Sequence, residues 1–138
     1  MRKMSDLVRE RAPVLLPLDT SVKEACRRMR ERRAGAALIL SADGSLAGVF
    51  TRGDAINRVL AEGRGAVDTT VGQVMTPNPR AVSPTVTVIE ALRIMSDHGF
   101  RHLPVVRDDK VVGLVFRGDF RGRELDRIEE EAEIWERI

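Results

Sequence analysis

The stretch GVFTRGD occupies residues 48–54, and the closely similar GLVFRGD occupies residues 113–119. The sequence before each stretch repeats as well, because SVKEACRRMRERRAGAALIL (21–40) aligns with TVIEALRIMSDHGFRHLPVV (87–106) at a constant shift of 66 residues. The shift falls to 65 after the loop SADGS (41–45), which is one residue longer than its counterpart RDDK (107–110). Internal repetition over most of a chain indicates two copies of one folding unit.

Each copy carries the signals of a strand, a helix, two further strands and a second helix. Ser21 with Glu24, and Thr87 with Glu90, match the capping box, in which a hydroxyl and a carboxylate satisfy the free amides of a helix start. Short apolar runs bounded by turn residues predict buried strands. These runs cover 36–40, 46–50, 102–106 and 111–116, and further short strands are expected at 14–16 and 81–82.

The RGD endings stand between a strand and a helix. Asp54 and Asp119 occupy the position expected of an N-cap, ahead of helices at 55–63 and 120–131. In the first copy an apolar strand ends at Thr51, Gly53 permits a close turn, and the free amides of the next helix favour anions. A carboxylate can accept from both hydroxyls of a ribose, and a threonine hydroxyl can add a polar contact. The local sequence therefore fits either a plain helix cap or a contact to a ribose phosphate.

Composition excludes several other classes of function. The chain has 138 residues, 43% hydrophobic and 32% charged, and its net charge of +2 gives no broad field for a polyanion. Aromatic residues make up only 4%, so the stacking platforms of single-strand nucleic-acid binders are missing. Cys26 is the sole cysteine, which excludes an internal disulfide and a multi-cysteine metal site. No signal peptide, membrane span or catalytic motif is recognisable, so we expect a cytoplasmic, non-enzymatic domain without a required cofactor or metal.

The predicted fold class is α+β, with two tandem βαββα units and a C-terminal amphipathic helix. We expect the first repeat at 1–62, a connector at 63–73, the second repeat at 74–121 and the amphipathic helix at 122–138. The apolar stripe of that helix consists of Leu125, Ile128, Ala132, Trp135 and Ile138. The stripe either folds back on its own domain or meets a second subunit, and periodicity does not separate the two.

The phrases EALRIM, RHLPVV, VGQVMTPNP and GVFTRGD occur here in an order and spacing that resemble a pair of cystathionine beta-synthase (CBS) domains, also called a Bateman module. The resemblance covers about residues 4–121. It implies two pseudo-symmetric units packed sheet to sheet, often as a homodimer. It also implies binding of an adenosine-containing ligand, namely AMP, ADP, ATP or S-adenosylmethionine, to regulate an attached or partner protein. Without an attached catalytic or transport domain, the chain resembles a stand-alone sensor.

In that family each ligand site is shared between the repeats, which implies one set of contact residues here. The set contains Val49, Thr51 and Asp54 from the first repeat, and Ala81, Val82, Phe100, Arg101 and His102 from the second. Ala81 and Val82 would contact adenine, Asp54 would hold the ribose, and Arg101 with His102 would reach a phosphate.

The other shared site would contain Leu15, Leu16, Ala34, Gly35, Ala36, Phe116 and Asp119. Phe116 stands where the first copy has Thr51, and a phenyl ring cannot supply the lost hydrogen bond. We therefore expect one competent site per chain and a second, degenerate one. The alternative is a ligand-independent dimerisation or scaffold module, and nucleic acid and membranes are not expected partners.

Overall fold

The computed structural model describes residues 3–5 and 12–117, which group into two compact units. The first-repeat unit holds residues 12–80 and 108–111, and the second-repeat unit holds residues 3–5, 81–107 and 112–117. The predictions for Asp119 and for the amphipathic helix at 122–138 lie outside the described residues.

The first-repeat unit is built on a four-stranded sheet with the strand order β1-β2-β3-β4. Strand β1 pairs parallel to β2, whereas the β2–β3 and β3–β4 pairs are antiparallel. Its elements are β1 (Leu15–Pro17), α1 (Val22–Arg32), β2 (Ala36–Leu40), β3 (Leu46–Thr51), α2 (Arg52–Asp54), a π-helical stretch (Ala55–Leu60), α3 (Val71–Val74) and β4 (Thr76–Pro77). The short helix α3 and the strand β4 extend past the predicted connector at 63–73, and the whole stretch 63–77 is called the connector below.

The hydroxyl half of the predicted capping box starts α1, whereas the Glu24 carboxylate accepts hydrogen bonds from Arg27. The Ser21 hydroxyl accepts a hydrogen bond from the Glu24 amide at 3.1 Å, and the helix ends at Arg33 in the left-handed conformation with φ of 52°. Val22, Ala25 and Met29 recur at helical spacing and are buried in the core of the unit. Propensity and burial therefore select the same helix, as the repeat analysis predicted.

The second-repeat unit reproduces the same local order. Its elements are α4 (Val88–His98), β5 (His102–Arg107) and β6 (Lys110–Phe116), although the first two residues of β6 group with the first-repeat unit. Val82 forms a parallel bridge to Val105 where the first repeat has β1. Thr87 caps α4 by accepting the Glu90 amide at 3.2 Å, and Gly99 ends the helix with φ of 69°. Its buried core includes Met4, Leu92, Met95 and Leu103.

Equivalent backbone hydrogen bonds confirm the internal repeat. The Arg52 amide donates to the Gly35 carbonyl at 3.2 Å, and the Arg117 amide donates to the Arg101 carbonyl at 2.9 Å. These residues are counterparts in the alignment, at shifts of 65 and 66. The end of the hairpin that carries each RGD stretch is therefore built in the same way in both units.

The loop of unequal length forms the turn of each hairpin. In the first repeat the Ser41 amide donates to the Ser45 carbonyl at 2.9 Å, and Gly44 has φ of 86°. In the second repeat Asp108 and Asp109 both have positive φ, at 50° and 62°, which is the backbone of a type I′ turn. The one-residue difference is thus taken up in the turn between the two strands of each hairpin.

Candidate functional site

Thr51 and Asp54 form a reciprocal capping box at the start of α2. The Thr51 hydroxyl accepts the Asp54 amide at 3.2 Å, and the Asp54 Oδ2 atom accepts the Thr51 amide at 2.9 Å. The N-cap is therefore Thr51, and the prediction that Asp54 is the N-cap is wrong. Asp54 stands at the third helical position, where its carboxylate accepts a hydrogen bond from the backbone amide of the N-cap residue. The pattern Thr-x-x-Asp is itself the sequence signature of a capping box, with threonine at the N-cap and aspartate at the third helical position. The sequence therefore contained the signal that identifies Thr51 as the N-cap.

Gly53 does not make the tight turn that the sequence suggested. It lies within α2, and a Cβ atom added there would meet the Thr51 hydroxyl at 3.5 Å, which is an ordinary contact. The chain passes from β3 into the helix through Thr51, whose backbone is extended. The fold therefore does not require glycine at this position.

Asp54 is a buried carboxylate with a cation close by. Its relative exposure is 8%, and its Oδ1 atom lies 3.5 Å from Nε of Arg58, one helical turn further along the chain. Since Oδ2 is occupied by the Thr51 amide, the two carboxylate oxygens face different partners. Sequence reasoning missed Arg58, although the spacing of an acid and a base four residues apart is the usual signal for such a pair.

The strand register brings several predicted residues to the same end of the first-repeat sheet. Ala36 on β2 is paired with Thr51 on β3, and Gly35 accepts the Arg52 amide. Val49 is paired with Thr76 of the connector strand β4. The sequence assigned Ala36 and Gly35 to one site and Thr51 to the other, yet in the structure all three are neighbours within one unit.

Leu15 and Leu16 lie on β1, beside Leu38 and Ile39 of β2. Leu16 is fully buried, whereas the side chain of Leu15 is partly exposed. Leu15 is thus the one of the two that presents apolar surface outside the core.

In the second-repeat unit the predicted residues lie before and within β5. The Val82 amide donates to the Pro104 carbonyl at 3.0 Å, and its carbonyl accepts the Val106 amide at 2.8 Å. Ala81 precedes this bridge in sequence, so the stretch 81–82 plays the part of a short strand, as predicted.

Phe100 and Arg101 lie between α4 and β5, and His102 is the first residue of β5. The ring of Phe100 stacks on His98 with 5.4 Å between the centroids, and the side chain of Arg101 is exposed. The ring of His102 lies 6.5 Å from the ring of Phe116 on β6. His102 and Phe116 are the counterparts of Ala36 and Thr51, so an aromatic pair in this unit replaces a small and a hydroxyl residue in the other.

The structure brings together Val49, Thr51 and Asp54 in one unit, and the stretches 81–82 and 100–102 in the other. The combination of the two sets in one shared site stays a prediction. A polar cleft of about 390 Å³ lies elsewhere in the first-repeat unit, against Arg58 and the connector, and neither Thr51 nor Asp54 lines it. Within residues 3–5 and 12–117, no three side chains of the metal-binding types are close enough to hold an ion, and no helix is long and apolar enough to cross a membrane.

Two strand–helix–strand–strand repeats, each ending in the same hydrogen-bonded hairpin, define a tandem module of mixed α and β structure. The CBS domain family model matches residues 4–61 and 71–125, and the chain belongs to that family. A pair of CBS domains is a regulatory module and not an enzyme.

Known proteins agree with this assignment. The chain is 42% identical to the CBS domain-containing protein CBSCBSPB3 of Arabidopsis thaliana over 100 residues, which are 72% of this chain and 18% of that protein. It therefore spans about a fifth of the length of this relative.

Among solved structures, the CBS domain protein PAE2072 from Pyrobaculum aerophilum, complexed with AMP, superposes with a TM-score of 0.82 at 26% identity, over 93% of this chain and 98% of the other. The CBS-domain containing protein ATU1752 from Agrobacterium tumefaciens superposes with a TM-score of 0.76 at 28% identity, over 85% of this chain and 94% of the other.

Proposed function

We propose that this protein senses an adenosine-containing nucleotide and that occupancy of its site changes its interaction with a partner protein. The proposed site joins Val49, Thr51 and Asp54 of the first repeat to Ala81, Val82, Phe100, Arg101 and His102 of the second. The observation that carries the proposal is the Thr51–Asp54 box, since it fixes a buried carboxylate at the end of β3. The AMP complex of PAE2072, a protein of the same fold, supports the choice of ligand class.

Asp54 has the chemistry to hold a ribose. An ionised carboxylate offers about four acceptor positions, and the Thr51 amide occupies one of them. Two vicinal hydroxyl groups could be accepted by the remaining lone pairs at little cost, because the capping box already fixes the side-chain rotamer. The Thr51 hydroxyl is engaged by the Asp54 amide, so its part in the site is to hold Asp54 in place.

We further propose one competent site per chain. Phe116 takes the place of Thr51 in the second copy, and its phenyl ring cannot accept an amide hydrogen. The degenerate site would contain Leu15, Leu16, Gly35, Ala36, Phe116 and Asp119, where only the last is acidic.

The proposal is tested by identifying the small molecule that copurifies with the protein, using native mass spectrometry followed by release under denaturing conditions. Thermal-shift titrations with AMP, ADP, ATP and S-adenosylmethionine, with GMP as a control for the base, then rank the ligands. An adenosine-containing compound is expected in the released fraction, and it should raise the melting temperature where GMP does not. No bound compound and no shift with any of the four would contradict the proposal.

A ligand-independent dimerisation module is the second candidate, and one surface favours it. Ile56 and Leu60 lie one turn apart after α2, and their relative exposures are 57% and 70%. Two large apolar side chains on one helix face are typical of a surface that is covered in an assembly. Sedimentation velocity of the wild type and of Ile56→Glu would test this: a dimer that the variant dissociates supports the surface, and identical sedimentation refutes it.

A further inference from the structure

Arg58 contacts two separate parts of the first-repeat unit. Its Nε atom lies 3.5 Å from Oδ1 of Asp54, which is an ion-pair distance somewhat longer than a direct hydrogen bond. Its Nη1 atom donates to the Met75 carbonyl at 3.0 Å and lies 3.4 Å from the Val74 carbonyl. One guanidinium thus joins the carboxylate of Asp54 to the end of α3 in the connector.

The chemistry of arginine suits this double contact. The last carbonyls of a helix have no partner within the helix, and Val74 and Met75 are such positions at the end of α3. A guanidinium is planar and holds five donors in a fixed fork, so holding its Nη1 atom against two carbonyls also restricts the direction of the Nε–H group. The Arg58 side chain is half-exposed, with a relative exposure of 49%, whereas the Asp54 side chain is at 10%. Arg58 is therefore held at the boundary between the buried carboxylate and solvent.

The connector segment that Arg58 holds lies next to the proposed site. Met75 covers Gly48 so closely that a Cβ atom added to Gly48 would clash with the methionine sulfur. The following strand, β4, pairs with β3 at Gly48 and Val49. A change at Arg58 would thus reach the connector through the backbone of Met75 and the strand beside Val49.

We propose that Arg58 is a positioning residue for Asp54 and that it couples the occupancy of that carboxylate to the connector between the repeats. This inference rests on the proposed function, because it assigns a route by which a bound ribose is sensed. When ribose hydroxyls donate hydrogen bonds to Asp54, the attraction between its carboxylate and Arg58 becomes weaker. The contacts of Arg58 with the carbonyls of Val74 and Met75 then become stronger relative to its contact with Asp54. The Met75 amide, which donates to the Val71 carbonyl at 2.8 Å, reports that change.

The test uses the full chain with AMP as the probe and isothermal titration as the first readout. Arg58→Gln should weaken AMP binding about three- to fivefold, the range expected for a half-exposed ion pair. Arg58→Lys, which keeps the charge, should recover part of the loss. Arg64→Gln is the matched control, because Arg64 lies against the same cleft and contacts Gln73 rather than Asp54. Its affinity for AMP should equal that of the wild type.

A double variant separates positioning from general destabilisation. In the Asp54→Asn background, Arg58→Gln should cause no further loss of AMP affinity, since the group that it positions has already changed. An equal additional loss in both backgrounds would overturn the positioning role. Hydrogen exchange supplies the coupling readout: AMP should slow exchange of the Met75 amide in the wild type and leave it unchanged in Arg58→Gln. The same slowing in both proteins would overturn the coupling.

A ligand-free measurement distinguishes failure of this inference from failure of the proposed function. The side-chain carboxyl ¹³C resonance of Asp54 should move in Arg58→Gln and return towards its wild-type position in Arg58→Lys, whether or not AMP binds. If the wild type binds none of AMP, ADP, ATP and S-adenosylmethionine and the resonance moves, the proposed function fails while the positioning role stands. If AMP binds and the resonance is the same in wild type and Arg58→Gln, the positioning role is refuted.

Discussion

Replacing Asp54 should affect stability and ligand binding to different extents, depending on the replacement. Asp54→Ala removes the acceptor of the Thr51 amide, which is part-buried and hydrogen-bonded at 2.9 Å. A donor left without its partner costs about 1–3 kcal/mol, and the partial exposure of this one places the loss near the lower end, about 1–2 kcal/mol. Asp54→Asn keeps a carbonyl oxygen at the same position. It should therefore retain the capping bond and lose less than about 0.5 kcal/mol.

The magnitude translates into a melting temperature. The unfolding entropy of about 2 cal/mol/K per residue, over 138 residues, means that each kcal/mol shifts the melting temperature by about 3–4 °C. We expect Asp54→Ala to melt about 3–8 °C below the wild type and Asp54→Asn within about 2 °C of it. Differential scanning calorimetry of the ligand-free proteins measures both values.

Nucleotide binding should not follow the order of stability, because both variants remove the carboxylate. The side-chain amide that Asp54→Asn introduces has one acceptor oxygen and no charge, so the paired ribose hydroxyls lose their acceptor even though the fold is intact. Both variants should therefore lose AMP binding by about tenfold or more, since hydrogen bonds to a charged group contribute about 1.5–3 kcal/mol. Asp119→Ala is the matched control from the second copy and should bind AMP as the wild type does. An Asp54→Asn variant that is both stable and fully competent to bind AMP would refute the assigned role.

The remaining predictions concern packing, backbone and pH. Arg33→Gly should raise the free energy of unfolding in urea by about 0.5–1 kcal/mol, because Arg33 ends α1 in the left-handed conformation with φ of 52°. The aligned residue of the second repeat, Gly99, is a glycine. A lower free energy of unfolding would show that the Arg33 side chain contributes more to stability than the strained backbone costs. Gly48→Ala should destabilise by about 1–3 kcal/mol in the same assay, since the new Cβ would clash with the Met75 side chain and lie 2.8 Å from the Thr76 carbonyl oxygen. A neutral result would mean that both the methionine and the backbone of β4 give way. Hydrogen bonds from the Ser45 hydroxyl and amide lower the pKa of Asp43, so this group stabilises the fold above its unfolded pKa and loses that effect as the pH falls through the folded value. In Ser45→Ala, the urea midpoint should therefore fall less steeply as the pH is lowered below about 4. The same pH dependence in the variant and the wild type would show that Asp43 does not contribute to the loss of stability in acid.

The sequence alone was sufficient to predict most of the fold. The repeat, the hydroxyl caps of α1 and α4 and the strands β2, β3, β5 and β6 all follow from local signals that agree with each other. Agreement of this kind between propensity, capping and apolar pattern is what makes a local prediction reliable. The Gly99 stop is the simplest case, because glycine is the usual residue where a helix ends in the left-handed conformation.

The site was harder to predict because it depends on register and on side-chain direction. We predicted from the sequence that Asp54 follows a strand, but not that Thr51 is the N-cap or that the Asp54 carboxylate accepts the Thr51 amide. It also gave no reason to connect Arg58 with the carbonyls of Val74 and Met75, which are 16 and 17 residues away. Such contacts arise from tertiary packing of the connector, which no local pattern encodes.

The most direct test is the stoichiometry of AMP binding to wild-type protein, measured by isothermal titration with the chain concentration fixed by amino-acid analysis. The account predicts a saturable heat with one AMP per chain, because a single RGD stretch is preceded by threonine. Two equivalents per chain would contradict the asymmetry between the repeats, and no heat with AMP, ADP, ATP or S-adenosylmethionine would contradict the nucleotide site itself.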